Sequence, residues 1–236
     1  MGVLMGRLAL APFVPYLVVT VAHLAGLGLA NDALSGLSKP LLMPALVLAL
    51  LASVRPRANR TVVIGSIALG FSWLGDILLA IPGGIGFLLG LGAFFFAHVA
   101  YLTLFWRRLR IRRVPLIALV FAVWWVALLV VLAPHLGALL VPVAVYGVAL
   151  GASATLALAC NRFVAAGATV FLVSDTILAF KFFYPGFSLW QADLVIMLLY
   201  CVGQGLVVIG IVRSAQPARA VGAPRSGARE AQQTGA

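Results

Sequence analysis

The chain has 236 residues, 64% of them hydrophobic and only 9% charged, with a mean hydropathy of +1.17. A soluble domain is about half apolar and about one-quarter charged, so that class is excluded. Sixteen Lys and Arg against five Asp and Glu give a net charge of +11, but the basic residues sit in short clusters between apolar runs. That pattern marks membrane topology, not a nucleic-acid partner. Cys160 and Cys201 both lie inside apolar runs and make neither a disulfide framework nor a metal-ligand spacing.

A helix needs about 20 apolar residues to cross a bilayer. In chain order, eight stretches qualify: Leu8–Ala30, Lys39–Val54, Thr61–Ile81, Gly84–Trp106, Val114–Ala133, Gly137–Ala159, Phe163–Phe183 and Leu189–Val212. The second is the shortest. The first is too long for a secretory signal, and further spans follow at once. The expectation is an all-α polytopic bundle of about eight transmembrane helices over residues 1–213. Ser214–Ala236, rich in Ala, Gly, Pro, Arg and Gln, reads as a disordered basic cytoplasmic tail.

With these spans, every arginine falls on one side. They are Arg7; Arg55, Arg57 and Arg60; Arg107, Arg108, Arg110, Arg112 and Arg113; Arg162; and Arg213, Arg219, Arg225 and Arg229. The other side has only Lys39 and Lys181. The positive-inside rule then predicts a cell-membrane protein with both termini cytoplasmic, and the arginines serve as topology and lipid-headgroup anchors.

Once those anchors, Asp32 in an outer loop and Glu230 in the tail are set aside, five charges remain: Lys39, Asp76, Asp175, Lys181 and Asp193. An ionisable group at membrane depth costs at least a few kcal/mol and is a functional-site candidate by default. At ~1.5 Å per residue, Asp76 lies ~22 Å and Asp175 ~18 Å from the cytoplasmic ends of their helices. Lys39, Lys181, Asp193 and His23 belong to the outer ends of theirs. One polar cavity in the outer half of the bundle would collect them all.

The two aspartates share a context, small-Asp-x-x-Leu-Ala, in Gly75–Ala80 and Ser174–Ala179. The same offset relates Tyr101 to Tyr200, which suggests a parallel duplication of four helices plus four, with the aspartates on facing helices. Gly75 and Ser174 leave room for a neighbouring helix or a substrate. Ser72, one turn before Asp76, is placed to hydrogen-bond its carboxyl. Phe94, His98, Tyr101 and Phe105 fall on one helical face. A lone membrane histidine commonly serves an interhelical hydrogen bond, but the tyrosine on the same face makes His98 a site candidate. His135 is expected in a solvated outer loop, and Lys39-Pro40 with Met43-Pro44 is expected to open the second span.

The sequence has no H-E-x-x-H, G-x-S-x-G or P-loop motif. Its three scattered histidines give no support for a zinc site. Lys181 is six residues after Asp175, whereas microbial rhodopsins place the Schiff-base lysine four after an aspartate, so a retinal protein is excluded.

Three motifs carry a family resemblance: Ser72-x-x-Gly75-Asp76-x-x-Leu79; Gly90-x-x-x-Phe94-x-x-x-His98-x-x-Tyr101; and Ser174-Asp175-x-x-Leu178-Ala179. With Lys39-Pro40 before the second span, they resemble the YhhN-like family over roughly residues 10–212. That family includes the animal transmembrane lysoplasmalogenases. The resemblance implies a multi-pass hydrolase that cleaves the vinyl-ether bond of a lysoplasmalogen, or a related lysolipid, to a fatty aldehyde and a glycerophospho-alcohol. It implies no cofactor.

The residues fit that chemistry on their own. Vinyl-ether hydrolysis begins with protonation of the β-carbon, which creates an oxocarbenium ion that water then attacks. It needs one protonated carboxyl and one carboxylate, as in glycoside hydrolysis. Asp76 and Asp175 are the expected pair, with His98 and Tyr101 orienting water or polarising a carboxyl. Lys39 and Lys181 are expected to hold the substrate phosphate, with Ser72, Ser174 and Asp193 completing the binding set. The expected partners are a lysophospholipid substrate and membrane lipids, with no nucleic acid. The competing readings are a proton-coupled transporter, suggested by the intramembrane carboxyls and glycine-rich helices, and a non-catalytic lipid-binding protein.

Overall fold

The computed structural model describes residues 11–57 and 59–216. Arg7, the start of the first expected span and the expected tail from residue 217 onward lie outside them. Among the described residues the chain is helical throughout: α1 (Val14–Gly28), α2 (Asp32–Ser38), α3 (Leu42–Ser53), α4 (Arg60–Leu79), α5 (Gly84–Leu104), α6 (Leu119–Leu136), α7 (Leu140–Ala157), α8 (Arg162–Phe183) and α9 (Ala192–Ala215). All three asparagines of the chain are N-caps, with side chains that accept from Leu34 N, Thr61 N, and both Phe163 N and Val164 N.

Seven helical stretches among these residues are long and apolar enough to cross a membrane. One of them, Leu116–Ala157, has 42 residues, about twice what a bilayer needs. It folds back at Gly137, whose φ of +51° suits glycine. The return is antiparallel, since Trp125 Nε1 donates to Ala144 O at 3.1 Å and Trp124 packs on Gly151. The seven stretches therefore make eight passes. The protein is a polytopic all-α membrane bundle.

Two expectations are corrected. The second span begins at Asp32, not Lys39: Asn31 caps α2, and α2 continues through a single 3₁₀ turn at Lys39–Leu41 into α3, giving 22 residues. Asp32 is therefore in a helix first turn, where its charge complements the helix dipole. Both prolines are internal. Pro44 has no N–H for the carbonyl of Pro40, one turn back, and the Trp73 indole N–H takes that carbonyl at 2.9 Å. The second correction concerns His135. It lies in the last turn of α6 with Pro134 inside the helix, its ring edge-on to Tyr184 at 5.6 Å, and not in a loop.

Two tight antiparallel hairpins frame the interior, α4–α5 and α8–α9. Small residues let α8 and α9 approach: a Cβ on Gly167 would sit 2.6 Å from Gly203 O, and one on Gly203 would sit 2.9 Å from Phe171 N. Helix α9 is the hub, packing on α1, α3, α4 and α8. Its inward face is buried while Val14, Val18 and Val21 of α1 and Val123, Val126 and Val130 of α6 are exposed. That is the apolar face a bilayer covers. The described arginines gather at one end of the bundle, in the connections α3–α4, α5–α6 and α7–α8 and at the end of α9.

Candidate active site

A cavity of about 350 Å³ opens in the arginine-free half of the bundle. Its apolar wall comes from α5 (Phe87, Leu91, Phe94), α7 (Val143) and α8 (Leu178, Phe182). Its polar wall holds His23, Ser35 and Lys39 from the first two passes, Asp76 of α4, Tyr146 of α7, Ser174, Asp175 and Lys181 of α8, and Asp193 and Tyr200 of α9. All five charges that topology left unexplained, and His23, thus face one space.

Asp76 is 5% exposed and its Oδ2 accepts a hydrogen bond from Tyr200 Oη at 2.8 Å. Asp175 is half-buried and its Oδ2 accepts from Tyr146 Oη. Each carboxylate thus keeps one phenol donor and leaves oxygen lone pairs for a ligand. Helix α9 packs against both α4 and α8, which carry the two aspartates.

Behind Tyr146 lies His98. Its Nε2 is 3.4 Å from Tyr146 Oη, and its Nδ1 is 3.2 Å from Ser153 Oγ. The chain has a proton for every link in either direction. With Asp175 ionised, Ser153 donates to His98 Nδ1, His98 Nε2–H to Tyr146, and Tyr146 to Asp175. With Asp175 protonated the order reverses, and Ser153 turns its proton to Ala149 O at 2.9 Å. His98 therefore lies behind the cavity wall and is linked to Asp175 through Tyr146.

Tyr101 and Ser72 also stand below the cavity. Tyr101 Oη donates to Gln204 Oε1 at 2.6 Å, and Gln204 Nε2 donates to Ser72 Oγ at 3.1 Å. Gln204 is fully buried. Ser72 therefore bonds Gln204 and not the Asp76 carboxyl, because the buried amide needs an acceptor. The void bordered by His98, Tyr101, Ser153 and Gln204 is about 10 Å³, too small for a substrate. Ser174 lines the cavity, but its Oγ donates to Ile196 O at 2.8 Å.

The two lysines differ. Lys181 pairs with Asp193 at the rim, where both are substantially exposed. Lys39 has no carboxylate within salt-bridge distance among the described residues and faces the cavity. Tyr146 is the residue the sequence reading missed. It sits in a featureless apolar run, Val141–Leu150, and only the packing of α7 on α5 and α8 brings its hydroxyl to His98 and Asp175. Tyr200 was visible as the repeat partner of Tyr101, but its bond to Asp76 was not.

Among the described residues, no three His, Cys, Asp or Glu side chains converge as a metal-ligand set. Comparisons with curated proteins and with solved structures find no match to this chain. The model of the YhhN family matches residues 34–211, from within α2 to the last turns of α9 and across both aspartate motifs. The chain belongs to the YhhN family.

Proposed function

We propose that the protein is a lysoplasmalogenase-like hydrolase of the cell membrane that cleaves the vinyl-ether bond of a lysoplasmalogen. One observation carries the reading: Asp76 and Asp175 border the same cavity, each with a single phenol donor, beside Lys39, which has no carboxylate partner among the described residues. The apolar wall suits a single alkenyl chain, and a pocket of this size with few polar groups is typical of a small-molecule site. Both termini are cytoplasmic in this reading, which the one-sided arginines support.

The reaction balances on two carboxyls alone. The protonated aspartate gives its proton to the β-carbon, and the oxocarbenium ion forms beside the carboxylate of the other. That carboxylate takes a proton from water as the water oxygen bonds the α-carbon. In the collapse of the hemiacetal, the newly protonated aspartate protonates the departing glycerol oxygen. The first aspartate takes the hemiacetal hydroxyl proton, so aldehyde leaves and both carboxyls return to their starting states. The Tyr146–His98–Ser153 chain keeps Asp175 paired in both states, which supports its cycling. Lys39 holds the phosphate.

Below the polar layer, fully buried Leu50, Leu69, Leu104 and Ile211 close the bundle. That supports a closed-ended site over a path through the membrane. The test follows aldehyde release from a lysoplasmalogen by the purified protein in detergent, with an ester lysophospholipid as control. Asp76→Asn and Asp175→Asn should each lose about 100-fold or more in rate. Equal rates in all three proteins would sink the mechanism, and no aldehyde from folded wild type would sink the activity.

A further inference from the structure

His23 is 1% exposed and belongs to the cavity wall beside Ser35, Gly36 and Lys39. Its Nδ1 lies 3.1 Å from both Ser35 O and Ser38 Oγ. A carbonyl can only accept. The Ser38 hydroxyl spends its own proton on Leu34 O at 2.6 Å, so it accepts as well. Nδ1 therefore carries the hydrogen, and the neutral ring presents a lone pair at Nε2. That nitrogen is buried and has no partner among the described residues. A buried acceptor left unpaired carries a cost, and the open space that His23 borders is the cavity.

An acceptor of fixed tautomer next to an unpaired ammonium matches a ligand that carries an anion and a hydrogen-bond donor side by side. We propose that His23 Nε2 accepts a hydrogen bond from the phospholipid head whose phosphate sits on Lys39. The donor is the free hydroxyl of the glycerol or the ammonium of the headgroup. The first donor discriminates by the glycerol and the second by the headgroup. This rests on the cavity being a lysophospholipid site, and His23 is then a specificity residue of that site, outside the acid–base pair.

The test is a binding titration of the full chain in detergent, so that it does not depend on catalysis. Three non-cleavable saturated-ether lipids of equal chain length are compared: a lysophosphoethanolamine, its 2-deoxy analogue and the corresponding lysophosphocholine, which has no N–H. Wild type should bind the first about tenfold more tightly than the analogue lacking the donor. A loss confined to the 2-deoxy lipid identifies the hydroxyl, and a loss confined to the choline lipid identifies the ammonium. His23→Leu should erase the preference, while His23→Gln, with a carbonyl acceptor, should retain part of it. Equal affinities of wild type for all three lipids, or a preference undiminished in His23→Leu, would overturn the proposal. Equal affinities of wild type overturn the proposal even where His23→Leu fails to fold, and His23→Gln then carries the assignment to His23. Binding with the expected preference but no vinyl-ether cleavage would sink the hydrolase and leave His23 in its role; cleavage without preference would do the reverse.

Discussion

Tyr200 donates to Asp76 from α9 across 2.8 Å, while Asp175 takes its phenol from Tyr146 of α7. The 99-residue offset that relates the two aspartates would have given Asp175 the hydroxyl of Tyr101, which instead bonds Gln204. The two halves of the site are therefore unlike. Asp76 has a phenol packed among Phe94 and Phe171, whereas Asp175 has one backed by an imidazole. Two carboxyls in different surroundings can hold different protonation states, which acid–base chemistry on a carboxyl pair requires.

Removing the two phenol hydroxyls should have unequal effects. Tyr146→Phe cuts Asp175 from His98, so it should lower kcat about tenfold or more and leave KM within about twofold. His98→Leu in that background should add little, because the residues act as one chain. Tyr200→Phe should lower kcat as well, but with no such coupling to His98. Steady-state kinetics of the three single variants and the double variant check this. Additive losses for Tyr146 and His98 would break the chain.

Lys39 and Lys181 offer a second contrast. Lys181 is already engaged by Asp193 in an exposed rim pair, and such pairs contribute little. Lys39→Gln should raise KM about tenfold or more with kcat nearly kept, since a lost charge-assisted bond to phosphate weakens binding. Lys181→Gln should change KM by less than about threefold. A larger effect at Lys181 would move the phosphate to the rim.

Much of the architecture was legible because a bilayer leaves the sequence few choices. Apolar length sets the passes, arginine position pairs their ends, and the residual charges name the cavity. The start of the second pass was misread because Pro40 and Pro44 look like a helix opening. The signal that corrects it is Asn31, a cap eight residues before Lys39, together with Trp73, which relieves the carbonyl that Pro44 leaves unpaired. The partners of Ser72 and His98 were not legible, since hydrogen bonds between passes depend on which helices touch. Ser72 faces Gln204 and His98 faces Tyr146 only because α9 and α7 close around α4 and α5.

Glycine packing fixes that closure and predicts a graded stability series. A Cβ on Gly167 or Gly203 meets the backbone of the partner helix, at 2.6 Å from Gly203 O or 2.9 Å from Phe171 N. Backbone cannot step aside, so Gly167→Ala and Gly203→Ala should each cost about 1–3 kcal/mol or more. Gly65→Ala meets only side-chain tips, Leu50 at 3.3 Å, Ile211 at 3.5 Å and Leu104 at 3.9 Å, and should cost less. Thermal unfolding in detergent should rank the three in that order.

Trp73 and Pro44 form a testable pair that the sequence alone does not connect. The Pro40 carbonyl accepts from the Trp73 indole because position 44 has no amide hydrogen. Trp73→Phe should therefore destabilise the protein by about 1 kcal/mol, the net worth of one such bond. In a Pro44→Ala background the helix amide at position 44 can take that carbonyl, so the same Trp73→Phe change should cost markedly less. A double-mutant cycle read by thermal unfolding in detergent measures the difference directly. Equal costs in the two backgrounds would mean that the indole stabilises the second pass by packing alone and not by replacing the missing amide.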